Sequence, residues 1–370
     1  LDETWHRCVS AAHELESTVV AIGILPTLRN ADLCLANLSP LNRYRLLNDE
    51  ILRQRAGRPI RVSIDGGERL DVAHHDVMLE AATTSFQVHF QVPAEHFERA
   101  FNASLILSAT SVALAANAPF LFGKDLWSET RIPLFEQAVD SGAVTEPAWH
   151  RVTFGSGYLG AGEALRIFDE NVARYRPLLP IRMDSPAAEF RHLRLHNGTI
   201  WRWNRPLLGF DETGLPHLRI EHRVMAAGPT NLDMIANAAL YLGATQFLAA
   251  MERPPESDLS FEAARFNFYE AARHGFDARI VWLDGRKHPI SEVLLREVIP
   301  MAREGLVWLG VGEDERDRYL DIIAARVRTG QNGAVWQRRH VERYGRDWHH
   351  LLAEYLEHQR SGAPVHEWPI

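Results

Sequence analysis

Apolar and polar positions alternate strictly in two stretches, 84–92 (TSFQVHFQV) and 218–224, the latter opening the segment LRIEHRVMAAGPT. Side chains on a β-strand alternate between its two faces, so each stretch predicts a strand with one core face and one polar face. The polar face of the first strand carries Ser85, Gln87, His89 and Gln91. The polar face of the second carries Arg219, Glu221 and Arg223, with Leu218, Ile220, His222 and Val224 opposite.

The remaining pattern predicts mainly helices, with a few short strands. Helices are expected at 5–16, 41–55 and 94–117, and strands at 18–25, within 57–67 and at 279–283. Asn197-Gly198 predicts a hairpin turn. The helical C-terminal third, 232–360, divides into 232–251, 259–273, 290–304, 313–328 and 334–359. We therefore expect one α+β domain over 1–370, in which helices pack against an antiparallel sheet.

Composition narrows the classes of protein. The 370 residues are 46% apolar and 24% charged, as in soluble globular proteins, and a net charge of −8 argues against nucleic-acid binding. The longest apolar run, 105–122, contains polar residues and ends near a proline, so no membrane span is expected. Two cysteines without metal spacing favour a reduced, cytoplasmic setting.

The polar residues of these segments form one candidate constellation. It comprises Gln87, His89, Gln91, Asn117, Arg131, Arg205, Glu221 and Arg223. Arginine forks bind phosphate or carboxylate at two points, and a carboxylate among neutral ligands suits Mg²⁺ with a nucleotide. The set indicates a nucleotide-phosphate site beside a carboxylate pocket. A solvated strand face and a structural histidine are the alternative interpretations.

A second motif points to different chemistry. Residues 155–160 read GSGYLG, a literal G-x-G-x-x-G, which in a βαβ unit indicates dinucleotide binding. The preceding RVTF is short and half polar, and no βαβ series follows it. An NAD-type oxidoreductase and a flexible substrate loop both remain open for this segment.

Four segments in order resemble glutamate–cysteine ligase family 2, which includes the bacterial carboxylate–amine ligases and the plant-type glutamate–cysteine ligases. They are SFQVHFQV (85–92), ANAPFLFGKDLWSETR (116–131), GTIWRWNRP (198–206) and RIEHRVMAAGPT (219–230). The later run RTGQNGAVWQR (328–338) is also similar to a family signal. The resemblance covers roughly 18–345 and matches weakly in 140–190.

The resemblance implies a glutamine-synthetase-like fold, in which a curved antiparallel sheet has helices on its outer face and binds ATP and Mg²⁺. ATP would phosphorylate the γ-carboxylate of glutamate, and the amine of cysteine or another substrate would attack the acyl phosphate. A homodimer is also expected, from the family and from the apolar helix 232–251. By carry-over, Glu221 and His89 would hold the metal, while Gln87, His89 and Arg223 would bind the nucleotide. Arg205 and Arg223 would be catalytic, and Asn117, Arg131 and Arg205 would bind substrate.

The sequence also departs from the family pattern. Gln91 replaces an acidic residue of the plant-type pattern, His89 an asparagine, and Ala118 a serine. The family's opening G-x-E-x-E strand, which supplies further metal carboxylates, has no match in 1–17. We expect that this acidic strand either lies upstream of Leu1 or has been lost. A catalytically inactive member that senses nucleotide or amino acid is therefore the alternative to the enzyme.

Overall fold

The computed structural model describes residues 1–142 and 150–370, which form an α+β structure with small, mostly antiparallel sheets. The helices are α1 Asp2–Glu14, α2 Asn42–Gln54, α3 Phe97–Ala115, α4 Arg131–Ala138, α5 Arg166–Arg174, α6 Arg191–Asn197, α7 Asn231–Ala250, α8 Phe261–His274, α9 Ile290–Val293, α10 Ile299–Trp308, α11 Glu313–Thr329, α12 Gly333–Tyr344 and α13 Trp348–Ser361. The strands are β1 Ile60–Asp65, β2 Arg69–His74, β3 Val88–Val92, β4 Phe120–Leu121, β5 Lys124–Asp125, β6 Val152–Thr153, β7 Trp201–Arg202, β8 Asn204–Phe210, β9 Pro216–His222, β10 Arg279–Val281 and β11 Lys287–Pro289.

The two strands with strict alternation pair with each other in a three-stranded antiparallel sheet of order β3-β9-β8. Its register sets His89 opposite Glu221 and Glu221 opposite Arg205. The other face of β9 is core: Ile220 is fully buried, and the ring of buried His222 stacks on Tyr241 at 3.9 Å. One face of this sheet is therefore apolar, and the other carries the predicted polar row.

Helices cover the apolar side of the sheet. Helix α3 is buried at nearly every position and packs against α7, α8 and both β8 and β9. Helix α7 packs against α3, α10 and α11. A Cβ added to Gly305 would lie 1.9 Å from the carbonyl oxygen of Gly243, so α10 and α7 touch through their backbones. The homodimer, which was expected partly because this helix is apolar, stays a prediction.

The α+β class and most predicted helices are confirmed, but three local predictions are wrong. Residues 18–25 form no strand, because their backbone partners are scattered: Ala21 is hydrogen-bonded by the side chains of Gln359 and Tyr355, while Gly23 donates to Asn117 O and accepts from Thr84 N. Asn197 ends helix α6 rather than opening a hairpin. The expected helix 334–359 breaks at Gly345, whose positive φ of 82° ends α12.

The strands of the described segments form several small sheets, and the largest has three strands. A single curved sheet remains a prediction at this point, as does the single-domain division. The apolar core forms one large cluster between the three-stranded sheet and the helices that cover it. A smaller cluster lies beneath the β1–β2 hairpin, and a third packs Trp336 against Tyr355 and Trp368.

Candidate active site

The polar face of the sheet gathers three charged or titratable side chains around the carboxylate of Glu221. Arg205 approaches it from β8 in a two-point arrangement, with Nε 2.7 Å from Oε2 and Nη2 3.2 Å from Oε1. His89 Nε2 lies 3.4 Å from Oε1 on the other side. Arg223, just past the end of β9, places Nε 3.7 Å from Oε2. Strand register brings together residues that are far apart in sequence.

The ionisation of Glu221 is set by these neighbours. Burial alone would raise the pKa of its carboxyl, since the charged form loses hydration. The contact with His89 and the charges of Arg205 and Arg223 outweigh burial and lower the pKa to about 2. The carboxylate is therefore charged at neutral pH and holds the two arginines on one face of the sheet.

Arg223 has unused hydrogen-bonding capacity. Its Nε and Nη1 are buried and have no hydrogen-bond partner among the residues that the structure describes. Its guanidinium lies 5.5 Å from the ring centre of Phe135. Burial, then the charge of Arg205, lowers the pKa of Arg223 to about 10, so the group stays cationic at neutral pH. Buried unpaired donors are costly, and an anionic ligand would satisfy them.

Glu80 is a neighbour of Arg223 that the sequence did not single out. It lies in the short 3₁₀ turn Met78–Ala82, which precedes β3 in the chain. Glu80 is exposed, yet the surrounding protein partly desolvates its carboxyl, and this desolvation raises the pKa. The positive charge of Arg223 acts in the opposite direction and only partly offsets it. No spacing or motif signalled it.

Glu136 on α4 is a second residue that the sequence did not reveal. Its Oε1 accepts hydrogen bonds from Trp203 Nε1 and the Tyr269 hydroxyl, both at 2.8 Å. Burial outweighs these bonds and raises its pKa to about 7. Trp203 itself is only 1% exposed, so it packs in the core and cannot stack on a nucleotide base. Phe135, the residue before Glu136 on α4, contacts the guanidinium of Arg223, so this helix borders the polar face.

Asn117 and Arg131 lie behind the polar face, out of contact with solvent. The Asn117 amide donates to Ala227 O and to the Tyr355 hydroxyl, each at 2.8 Å, and accepts from Gln337. Arg131 donates to Glu129 and to Val224 O, at 2.9 and 2.7 Å. Both residues therefore fix the backbone that follows β9. Their place in an amino-acid pocket stays a prediction.

Gln87 and Gln91 lie on the exposed side of the β3 segment. Gln87 donates from Nε2 to Ser85 Oγ at 3.2 Å and remains accessible. Gln91 lies opposite Arg219 in the strand register. Both amides share the face that carries His89, and both can still bind a ligand.

The glycine-rich segment 155–160 does not form a dinucleotide-binding unit. The strand before it, β6, has two residues, and the next helix, α5, begins only at Arg166. The segment is instead tied to α3, because the Asn102 side chain binds both the N–H and the carbonyl of Leu159. A phosphate cradle needs a helix that starts directly at the glycines, and this geometry lacks one.

Sequence comparison assigns the chain to a family. The family described as glutamate-cysteine ligase family 2 matches residues 2–358, nearly the whole chain, and the chain belongs to it. The resemblance read from the motifs is thus confirmed, and the membership makes this a ligase of the ATP-dependent carboxylate–amine type. A search of curated proteins gave no match. No helix of the described segments is both long and apolar enough to cross a bilayer.

Proposed function

We propose that this protein forms an amide between the γ-carboxylate of glutamate and the amine of an amino acid, with cysteine as the simplest case. The observation that carries the proposal is the paired arginines on the polar face: Arg205 is fixed by Glu221, and Arg223 keeps two buried donors unpaired. Such donors suit oxygens that carry developing negative charge during phosphoryl and acyl transfer. The glutamine-synthetase-like curved sheet and cytoplasmic location form part of the same proposal.

The donor set fits nucleotide phosphate better than it fits a metal ion. Arg223, Gln87 and His89 offer N–H groups to phosphate oxygens, and bound ATP would supply the phosphoryl group that activates the carboxylate. Glu221 and His89 are the proposed metal ligands. Both oxygens of Glu221 already accept from Arg205, so its charge is largely neutralised. No step is therefore assigned to the metal.

The residues of this chain act mainly by position and charge. Glu221 orients Arg205 through the two-point contact, and Arg205 and Arg223 together neutralise negative charge on the transferring group and on the acyl phosphate. Asn117 and Arg131 hold the backbone after β9, and with it the position of Arg223. Through this positioning we assign them to the substrate pocket.

A phosphate-release assay tests the proposal. The purified protein is given ATP, Mg²⁺ and glutamate with a panel of amino acids that includes cysteine, and amide products are identified by mass. We expect release that requires both glutamate and an amine, and loss of rate in Arg223→Lys. The exposed Arg61 on β1 provides the matched control, Arg61→Lys. Absence of turnover with every amine tested would refute the proposed ligase activity.

The neutralised Glu221 favours one alternative, a family member that binds nucleotide or amino acid without turnover. Calorimetry separates the two. ATP binding that depends on Arg223, without phosphate release under any substrate combination, would support a sensor function without catalysis.

A further inference from the structure

Two histidines and one glutamate meet between α12 and α13. His340 comes from α12, while His350 and Glu354 lie one turn apart on α13. His340 Nε2 is 3.1 Å from Glu354 Oε2, and His350 Nε2 is 3.2 Å from Oε1. One potential ligand atom from each residue lies within 4.8 Å of the others. Two imidazoles thus converge on one carboxylate.

The buried histidine of this cluster is not satisfied by the protein. His340 is completely buried, and neither of its ring nitrogens makes a hydrogen bond within 1–142 and 150–370. The 3.1 Å approach to Glu354 is close, but it is not aligned as a hydrogen bond. The rings of Trp336 and Tyr344 pack on either side of the imidazole. A buried imidazole whose Nδ1 has no partner and whose Nε2 has only the poorly aligned Glu354 carboxylate nearby is costly, so its position calls for a ligand.

We propose that His340, His350 and Glu354 bind one Zn²⁺ ion. In a tetrahedral zinc site with bonds of about 2.0–2.1 Å, neighbouring ligand atoms are roughly 3.3 Å apart. Each imidazole nitrogen lies near that distance from one oxygen of Glu354, His340 Nε2 at 3.1 Å from Oε2 and His350 Nε2 at 3.2 Å from Oε1. A set of two imidazoles and one carboxylate suits zinc, whereas Mg²⁺ and Ca²⁺ prefer all-oxygen sites. The side chains of His350 and Glu354 are 42% and 32% exposed, which leaves room for water as the fourth ligand.

The ion would join two helices that both bind the side chain of Asn117. Gln337 on α12 and Tyr355 on α13 both bind the Asn117 side chain. Zinc between the helices would therefore hold this helix pair, and Asn117 with it, in one arrangement. The proposal rests on the cluster alone and holds whether or not the chain is an active ligase.

Calorimetry with Zn²⁺ alone tests the site on tag-free, chelator-treated protein. We expect one tight site per chain, weakened at least about tenfold in His350→Ala and Glu354→Ala, because a ligand is removed. His349→Ala is the matched control, since His349 is the exposed neighbour on the same helix and lies outside the cluster. Co²⁺ in place of Zn²⁺ should give the visible absorption of a tetrahedral site in wild type and in His349→Ala only.

A second readout guards against a folding defect. Zn²⁺ should raise the melting temperature of wild type and of His349→Ala, and should not raise that of His350→Ala. His350 is partly exposed, so its replacement by alanine should leave the fold intact, as circular dichroism can check. Equal Zn²⁺ affinity in His350→Ala and His349→Ala, or no saturable site in wild type, would overturn the proposal.

Discussion

Replacing Glu221 with glutamine should change how stability depends on pH. The carboxyl has a pKa of about 2 in the folded protein, against about 4.5 in an unfolded chain. Each pKa unit corresponds to about 1.4 kcal/mol, so the ionised carboxylate contributes roughly 3 kcal/mol to the free energy of unfolding. Because the folded pKa is lowered, this contribution is complete above about pH 5 and declines as the pH falls toward 2. By pH 3, about 2 kcal/mol of it should be lost.

Urea unfolding at several pH values between 3 and 7 measures this effect. At pH 7, Glu221→Gln should be less stable than wild type by roughly 3 kcal/mol, because Arg205 and Arg223 lose their shared counter-charge. The two proteins should converge as the pH falls. Glu212→Gln serves as the control, since Glu212 is exposed in the turn between β8 and β9. A stability difference that stays constant from pH 7 to pH 3 would refute the ion-pair account of Glu221.

Three further outcomes follow from the structure. Arg223→Lys should lower ATP turnover on the order of 10²-fold in the phosphate-release assay while the melting temperature stays nearly constant, because charge is kept but the planar fork is lost; equal turnover would contradict its role. Glu136→Gln should gain on the order of 2–3 kcal/mol over wild type in urea unfolding at pH 8 and much less at pH 4.5, because a pKa raised to about 7 costs stability as the pH rises through that window. Gly305→Ala should lower the free energy of unfolding by about 2 kcal/mol or more in urea unfolding, because its Cβ would lie 1.9 Å from the Gly243 carbonyl oxygen. Gly312→Ala is the control: a Cβ there would meet open space, so the loss should be less than about 1 kcal/mol.

Local pattern was sufficient to predict the centre of the candidate site. Strict alternation identified the strands of His89 and Glu221, and their pairing follows from one face of each being apolar. The segment that carries Arg205 was recognised by its motif, and its register places it on the other side of Glu221. The chemistry assigned to these residues stays a prediction that the assays above will test.

Other parts depend on contacts that no local pattern contains. Glu80 and Glu136 owe their shifted pKa values to surrounding protein, which is assembled from distant segments. His350 is exposed on α13, and no local pattern links it to His340. On one continuous helix, His340 would lie ten residues, or about 15 Å, from His350. The break at Gly345 folds α13 back and brings them together.

The hydrogen bonds of Asn117 also bear on how the protein is made. Its partners Gln337 and Tyr355 lie 220 and 238 residues further along the chain. During synthesis from the N-terminus, the loop that carries Asn117 can make these hydrogen bonds only after α13 has left the ribosome. Contacts of such separation form late and slowly. The β3–β9–β8 sheet can pair earlier. We therefore expect a nascent chain to form the charged face of this sheet before it forms the hydrogen bonds of Asn117 with α12 and α13.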